Sequence, residues 1–167
     1  KVLTNVKFDK HMLANAGIEL RGILWDTVVM DWLLNGNGQH GLKQCVKKYG
    51  ILNATAMQEF AQVFLVDPDT GKRRVMKKDE GLEDILLKAL AEEPYKVIEY
   101  ASLDAWASLQ LGLELKDRLE AMPFDIDYSA WDHYIEVEEP FTHVLWRCER
   151  RGICVDIGHL EDISPGI

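Results

Sequence analysis

Cysteine is scarce in this sequence. Cys45, Cys148 and Cys154 are an odd set of three in 167 residues, with no Cys-x-x-Cys or Cys/His ligand spacing. That pattern fits free thiols in a reducing cytoplasm and argues against a disulfide frame or a zinc site. Long apolar runs are missing too: none approaches the ~20 residues that cross a bilayer, so no membrane partner is expected. The opening Lys1-Val2-Leu3-Thr4-Asn5 is not followed by the apolar stretch of a signal peptide. A start on Lys1 instead of Met fits an internal piece of a longer chain. Positive charge is in deficit, with 19 basic residues against 28 acidic ones and a net charge of -9. A grip on DNA or an anionic membrane by bulk charge is thereby excluded, and any polyanion must be held locally. No internal repeat or low-complexity stretch occurs. What remains is 47% hydrophobic and 28% charged, enough to bury roughly 70% of the unfolded surface around one core.

The spacing of apolar residues predicts a mostly helical chain. Residues 1–5 read as a short strand, and from Asp9 the positions Met12, Leu13 and Ala16 follow helical spacing up to Gly17. Asp26 stands as an N-cap before the helix carrying Val28, Val29, Trp32 and Leu33, which Asn35-Gly36 ends. A third helix is expected over 40–49, closed by Gly50. Two short runs around Asp67-Pro68-Asp69-Thr70-Gly71 have the shape of a β-hairpin at about 62–77. Helix returns over 82–90, and a long helix starts at Pro94 and runs to about Leu119. Met122-Pro123-Phe124-Asp125 breaks it. Ser129 then caps a helix through Arg151 that Pro140 kinks or divides. Gly152-Ile153-Cys154-Val155-Asp156 reads as a turn into a short strand, with Asp156 set to cap a further helix.

Several motifs have plain readings. Gly36-Asn37-Gly38-Gln39-His40-Gly41 matches G-x-G-x-x-G, but a helix precedes it and no acid follows at ~20 residues, so it reads as a helix-to-helix turn. The five histidines, His11, His40, His133, His143 and His159, lack ligand spacing and read as surface or capping residues. Lys72, Arg73, Arg74, Lys77 and Lys78 read as charge guarding a hairpin edge, the alternative being a track for a phosphate backbone.

Two segments carry more. Asn5-Val6-Lys7-Phe8-Asp9 puts a carboxylate where a strand meets a helix. Tyr100-Ala101-Ser102-Leu103-Asp104 puts a phenol and a carboxylate four residues apart on a helix, ~40° apart around the axis and ~6 Å along it. These segments resemble the second and third exonuclease motifs of the proofreading domain of family A DNA polymerases. The likeness extends through 15–23, Trp25-Asp26-Thr27 and His40-Gly41-Leu42. It also extends to Glu139-Pro140-Phe141, Glu149-Arg150-Arg151-Gly152-Ile153 and Val155-Asp156, which look like the start of that family's polymerase region. It is weakest over about 53–92, which suggests a phage-like or otherwise divergent member.

The resemblance implies an α/β, ribonuclease H-like 3′-5′ exonuclease fold, here mostly α-helical with a short N-terminal strand and the 62–77 hairpin. Residues 1–122 would be the exonuclease domain without its first strands, and 123–167 the linker and start of the polymerase domain. In this family two Mg ions, with Mn as a substitute, cleave the terminal phosphodiester. Asp104 and Asp9 would be metal ligands, and Tyr100 would orient the attacking water. Asn5 and Phe8 would hold the frayed single-stranded 3′ end of a DNA primer. Gln39 stands in a loop where the family places a phosphate-contacting arginine. The family's first motif, Asp-x-Glu, occurs nowhere in the chain, so the chain alone is expected to be inactive. Expected partners are DNA and the polymerase domain of the same parent chain, in a bacterial cell or phage-infected host. A stand-alone ribonuclease D-like nuclease and a silent scaffold that positions DNA are the competing readings.

Overall fold

The computed structural model describes residues 1–52, 64, 65, 67, 70–72, 81–158, 160 and 164. Strand β1 (Val2–Leu3) pairs in parallel with β2 (Trp25–Asp26), in the register Val2 to Trp25 and Leu3 to Asp26. Between them runs helix α1 (Val6–Asn15), and after them come α2 (Thr27–Asn35) and α3 (Leu42–Lys48). Helix α4 (Leu82–Glu92) leads into the long α5 (Pro94–Ala121), with Pro94 in its first turn, where a missing N–H costs nothing. A short antiparallel pair follows, β3 (Pro123–Asp125) with β4 (Tyr128–Ser129). The chain closes with α6 (Ala130–His133), a π-helical turn (Tyr134–Glu138) and α7 (Glu139–Arg151). Among the described residues no helix is long and apolar enough to cross a membrane.

The core forms where α5 lays a stripe of Leu111, Leu115 and Leu119, four residues apart, against Met30 of α2, Cys45 of α3, Ala130 and Tyr134. Spacing by four puts all three leucines on one helical face. Gly112 lets β1 lie directly on that helix, for a Cβ there would come 2.5 Å from Val2 Cγ1. Asp26 caps α2 by accepting the Val28 N–H at 3.0 Å. Ser129 caps α6 through a reciprocal pair with Asp132, the Asp132 N–H reaching Ser129 Oγ at 3.2 Å and the Ser129 N–H reaching Asp132 Oδ2 at 2.8 Å.

Helix α7 packs back onto α1 through side chains. Glu149 takes Lys7 at 2.5 Å and His11 at 3.0 Å, and Arg150 donates to Asn15. Lys10, buried, donates to His143 Nδ1 at 2.6 Å, while His143 Nε2 meets Glu139 at 3.0 Å.

Several expectations need correction. Helix α1 starts at Val6, because the Asp26 carboxylate satisfies its first N–H groups from outside the helix. Pro140 neither kinks nor divides a continuous helix at its own position: it falls in the first turn of α7, and the irregularity is the π-helical turn before it. Gly152–Asp156 forms no strand; Ile153 and Val155 are 91% and 57% exposed, so no apolar face anchors one. Helical backbone does follow at Ile157, and Leu160 donates to the Asp156 carbonyl at 3.1 Å. His40 is not a surface residue: its Nδ1 lies 2.6 Å from a carboxylate oxygen of buried Asp31. Most of the hairpin expected at about 62–77 lies outside the described residues. Within it Phe64 is helical, not extended, and a turn joins Asp67 to Lys72, the Asp67 N–H reaching the Lys72 carbonyl at 2.8 Å.

Candidate exonuclease site

The strand β1 sets the site by the direction in which it crosses α5. Val2 lies on Gly112, and Thr4 Oγ1 stands 3.5 Å from Ser108 Oγ, one turn nearer the helix N-terminus. Ser108 Oγ in turn donates to the Asp104 carbonyl at 2.8 Å. Val2 and Thr4, two residues apart, thus meet α5 one turn apart, and the segment that follows Thr4 carries Asn5, Phe8 and Asp9. The Thr4 hydroxyl is also 3.0 Å from Thr27 Oγ1, which ties the crossing to α2.

Asn5 opens α1 in the left-handed region, with φ 66 and ψ 65, and is exposed. Its own N–H and that of Val6 bind the buried Asp26 carboxylate at 3.1 and 2.8 Å, and the Phe8 N–H returns to the Asn5 carbonyl at 3.1 Å. Phe8 is 57% exposed, so its ring is open to a ligand. Asp9 is half-buried; burial raises its carboxyl above the ordinary value, and the nearby Asp26 charge adds to this. Asp26 is itself raised by burial, against the pull of its backbone N–H donors. A cation beside Asp9 would relieve both carboxylates.

On α5, Tyr100 and Asp104 are half-buried. Lys43 of α3 donates from Nζ to the Tyr100 phenol at 3.0 Å and lies 4.9 Å from its ring centroid. Phe64 meets the same ring edge-on at 5.3 Å. Gln39 is exposed on the loop between α2 and α3, and among the described residues no hydrogen bond joins it to Asp9, Tyr100 or Asp104. Asn5, Phe8 and Asp9 thus lie at the start of α1, Tyr100 and Asp104 lie on α5, and Gln39 lies on a separate loop.

Comparison with known proteins decides the family. The family model described as 3′-5′ exonuclease matches residues 1–120. The chain belongs to this family. Its relatives include DNA polymerase I of Synechocystis, 29% identical over 164 residues, covering 98% of this chain and 14% of that protein. DNA polymerase I A, chloroplastic/mitochondrial, of Arabidopsis thaliana is 31% identical over 183 residues, covering 98% and 17%. DNA polymerase I of Rhizobium leguminosarum is 31% identical over 165 residues, covering 98% and 14%. The chain therefore spans about a sixth of the length of these relatives. No solved structure gives a significant match.

For an exonuclease that works through divalent metal, the donors present are right in kind and short in number. Asp9 and Asp104 offer the hard carboxylate oxygens that such ions take. Among the described residues, however, no group of three or more His, Cys, Asp or Glu stands close enough to hold a metal ion. The pair fits as part of a metal site and not as a complete one.

Three residues near the site escaped the sequence reading. Lys43 had no motif to mark it, and its partner lies 57 positions away. Asp26 was legible as the cap of α2 but not as the cap of α1. Asp31, wholly buried, gathers His40, Lys48 at 3.0 Å, Asn35 at 2.8 Å, Cys45 at 3.4 Å and the Tyr49 hydroxyl. Burial alone would raise its carboxyl, but the donors from Tyr49, His40, Lys48 and Cys45 outweigh that and leave it lowered. This hub pins α3, and with it Lys43, to α2.

Proposed function

We propose that this chain is part of a DNA polymerase I-type enzyme and contributes to 3′-5′ removal of mispaired nucleotides from a primer end. Residues 1–122 form a ribonuclease H-like exonuclease domain without its first strands, and 123–167 lead into the polymerase domain. The observation that supports this is the match of residues 1–120 to the 3′-5′ exonuclease family, together with the crossing of β1 over α5 at Gly112 and Ser108, one turn from Asp104. The relatives' similarity over 98% of the chain, past residue 120, favours a polymerase parent over a stand-alone nuclease.

Asp104 and Asp9 would hold divalent metal, Mg or Mn, which supplies an activated water and charge neutralisation at the leaving oxygen. Phe8 packs its exposed ring on the terminal sugar and base, and the Asn5 amide hydrogen-bonds the same end. Tyr100 orients the attacking water. Lys43, donating to the phenol oxygen, would fix the position of that hydroxyl. Gln39, uncharged, gives the strand no ionic grip.

The test is Mg-dependent digestion of a 3′-labelled single-stranded oligonucleotide by the 167-residue chain beside the full-length parent polymerase. Digestion by the parent and none by the chain is the expected result. Digestion by the chain alone would mean that other carboxylates build the site, and a parent that never digests would favour a silent scaffold.

A further inference from the structure

The exonuclease match ends at residue 120, yet the backbone of the site is held from beyond it. Tyr134, in the π-helical turn, is 1% exposed. Its phenolic oxygen accepts the Asp26 N–H at 2.7 Å, and its own hydrogen faces the Leu24 carbonyl at 3.5 Å. From the same segment Glu139 accepts the Leu24 N–H at 3.2 Å. Asp26, so fixed, turns its carboxylate on the N–H groups of Asn5 and Val6. Asp9 follows one turn later.

This chain of bonds explains a backbone that would not hold itself. Asn5 lies at positive φ with no side-chain cap of its own, a conformation sparsely populated outside glycine and held where the surroundings impose it. The two bonds to Asp26 are that imposition. Packing does not account for the Tyr134 hydroxyl, since the ring's contacts with the core, such as Trp131 at 5.4 Å, would serve a phenylalanine equally. The hydroxyl matters because without it a buried N–H of β2 is left without an acceptor.

We propose that Tyr134, outside the exonuclease match, is a positioning residue of the exonuclease site: its hydroxyl fixes Asp26, and through the Asp26 carboxylate it fixes the turn that aims Phe8 and Asp9. This rests on the reading above that Asp9 and Phe8 serve in that site. It makes the segment around Tyr134 a structural part of the nuclease, so the two functions implied by the relatives share a brace.

The experiment is amide hydrogen exchange by NMR on the 167-residue chain carrying Tyr134→Phe, joined to kinetics of the same variant in the full-length parent. The Asn5, Val6 and Asp26 amides should exchange about tenfold faster while those of Leu111 and Leu115 stay within about twofold. In the parent, kcat for oligonucleotide digestion should fall about tenfold with KM within about twofold. Uniform acceleration across the core makes Tyr134 a packing residue only and overturns the proposal. So does unchanged exchange at Asn5 and Val6, or an unchanged kcat. If Tyr134→Phe fails to fold, Asp26→Ala is the second arm: it should free Asn5 and Val6 while Tyr134 keeps the residue-26 N–H protected, and continued protection at Asn5 and Val6 overturns the proposal. A wild-type parent without nuclease activity would sink the exonuclease reading, while the exchange data still decide whether the brace exists.

Discussion

Lys43 Nζ donates to the Tyr100 hydroxyl at 3.0 Å, joining α3 to the middle of the candidate site across 57 residues of sequence. On the proposed function, this cation would be a local grip on the DNA strand in a chain of net charge -9. Lys43→Met keeps the length of the side chain and removes the charge. It should cost about 1.5–3 kcal/mol in kcat/KM for single-stranded DNA in the parent polymerase, and Lys43→Arg should restore most of it. Steady-state digestion of a labelled oligonucleotide checks this.

Gly112 is where β1 rests on α5. A methyl group there meets Val2 Cγ1 at 2.5 Å, and the β-branched Val2 cannot swing away as a flexible chain would. Gly112→Ala should cost about 1–3 kcal/mol of stability by overpacking. Adding Val2→Ala should return part of that loss, and a double-mutant cycle in urea measures the coupling.

Much of this architecture was legible in the sequence, and the failures have physical causes. The long helix announced itself through Pro94 at its start and Met122-Pro123-Phe124-Asp125 at its end. Asp26 and Gly36 marked the ends of α2, and Ser129 marked the start of α6. Strands β2, β3 and β4 went unread because elements of two or three residues show no alternation. The placement of Asp9 near a strand end and of Tyr100 and Asp104 on one helix followed from spacing. The contacts that organise the region did not: Tyr134 meets Asp26 across 108 residues, and no local rule reports such a bond. His40 was misread because its partner, Asp31, looks like any helical acid until the core closes over it.

Asp31 gives the protein an acid-sensitive core. Its donors hold the folded-state carboxyl below the ordinary value despite burial. Such a group stabilises fully above the unfolded pKa of about 3.9 and loses that contribution as pH falls through the lower folded value. Chemical denaturation between pH 6 and about pH 3 should show stability declining at the acid end. Asp31→Asn should flatten that decline and lower stability at neutral pH by about 3 kcal/mol, because Lys48 loses its counter-charge and the buried hydrogen-bond hub loses an acceptor.

The three thiols should differ in reactivity. Cys45 is buried, and burial together with the Asp31 charge pushes its pKa up to about 12. Cys148 and Cys154 are exposed. Iodoacetamide at pH 8 should alkylate Cys148 and Cys154 in the native protein and reach Cys45 only after unfolding, as read by intact mass.

The central claim is that Asp9 and Asp104, carried by different elements, act as one site. Digestion of a 3′-labelled single strand by the parent polymerase carrying Asp9→Ala, Asp104→Ala and both together tests it most directly. Each single change should lower the rate by roughly 10³-fold or more, and the double change should add little, as for groups that work as a unit. Losses that multiply in the double variant, or a single variant that keeps its activity, would contradict the account.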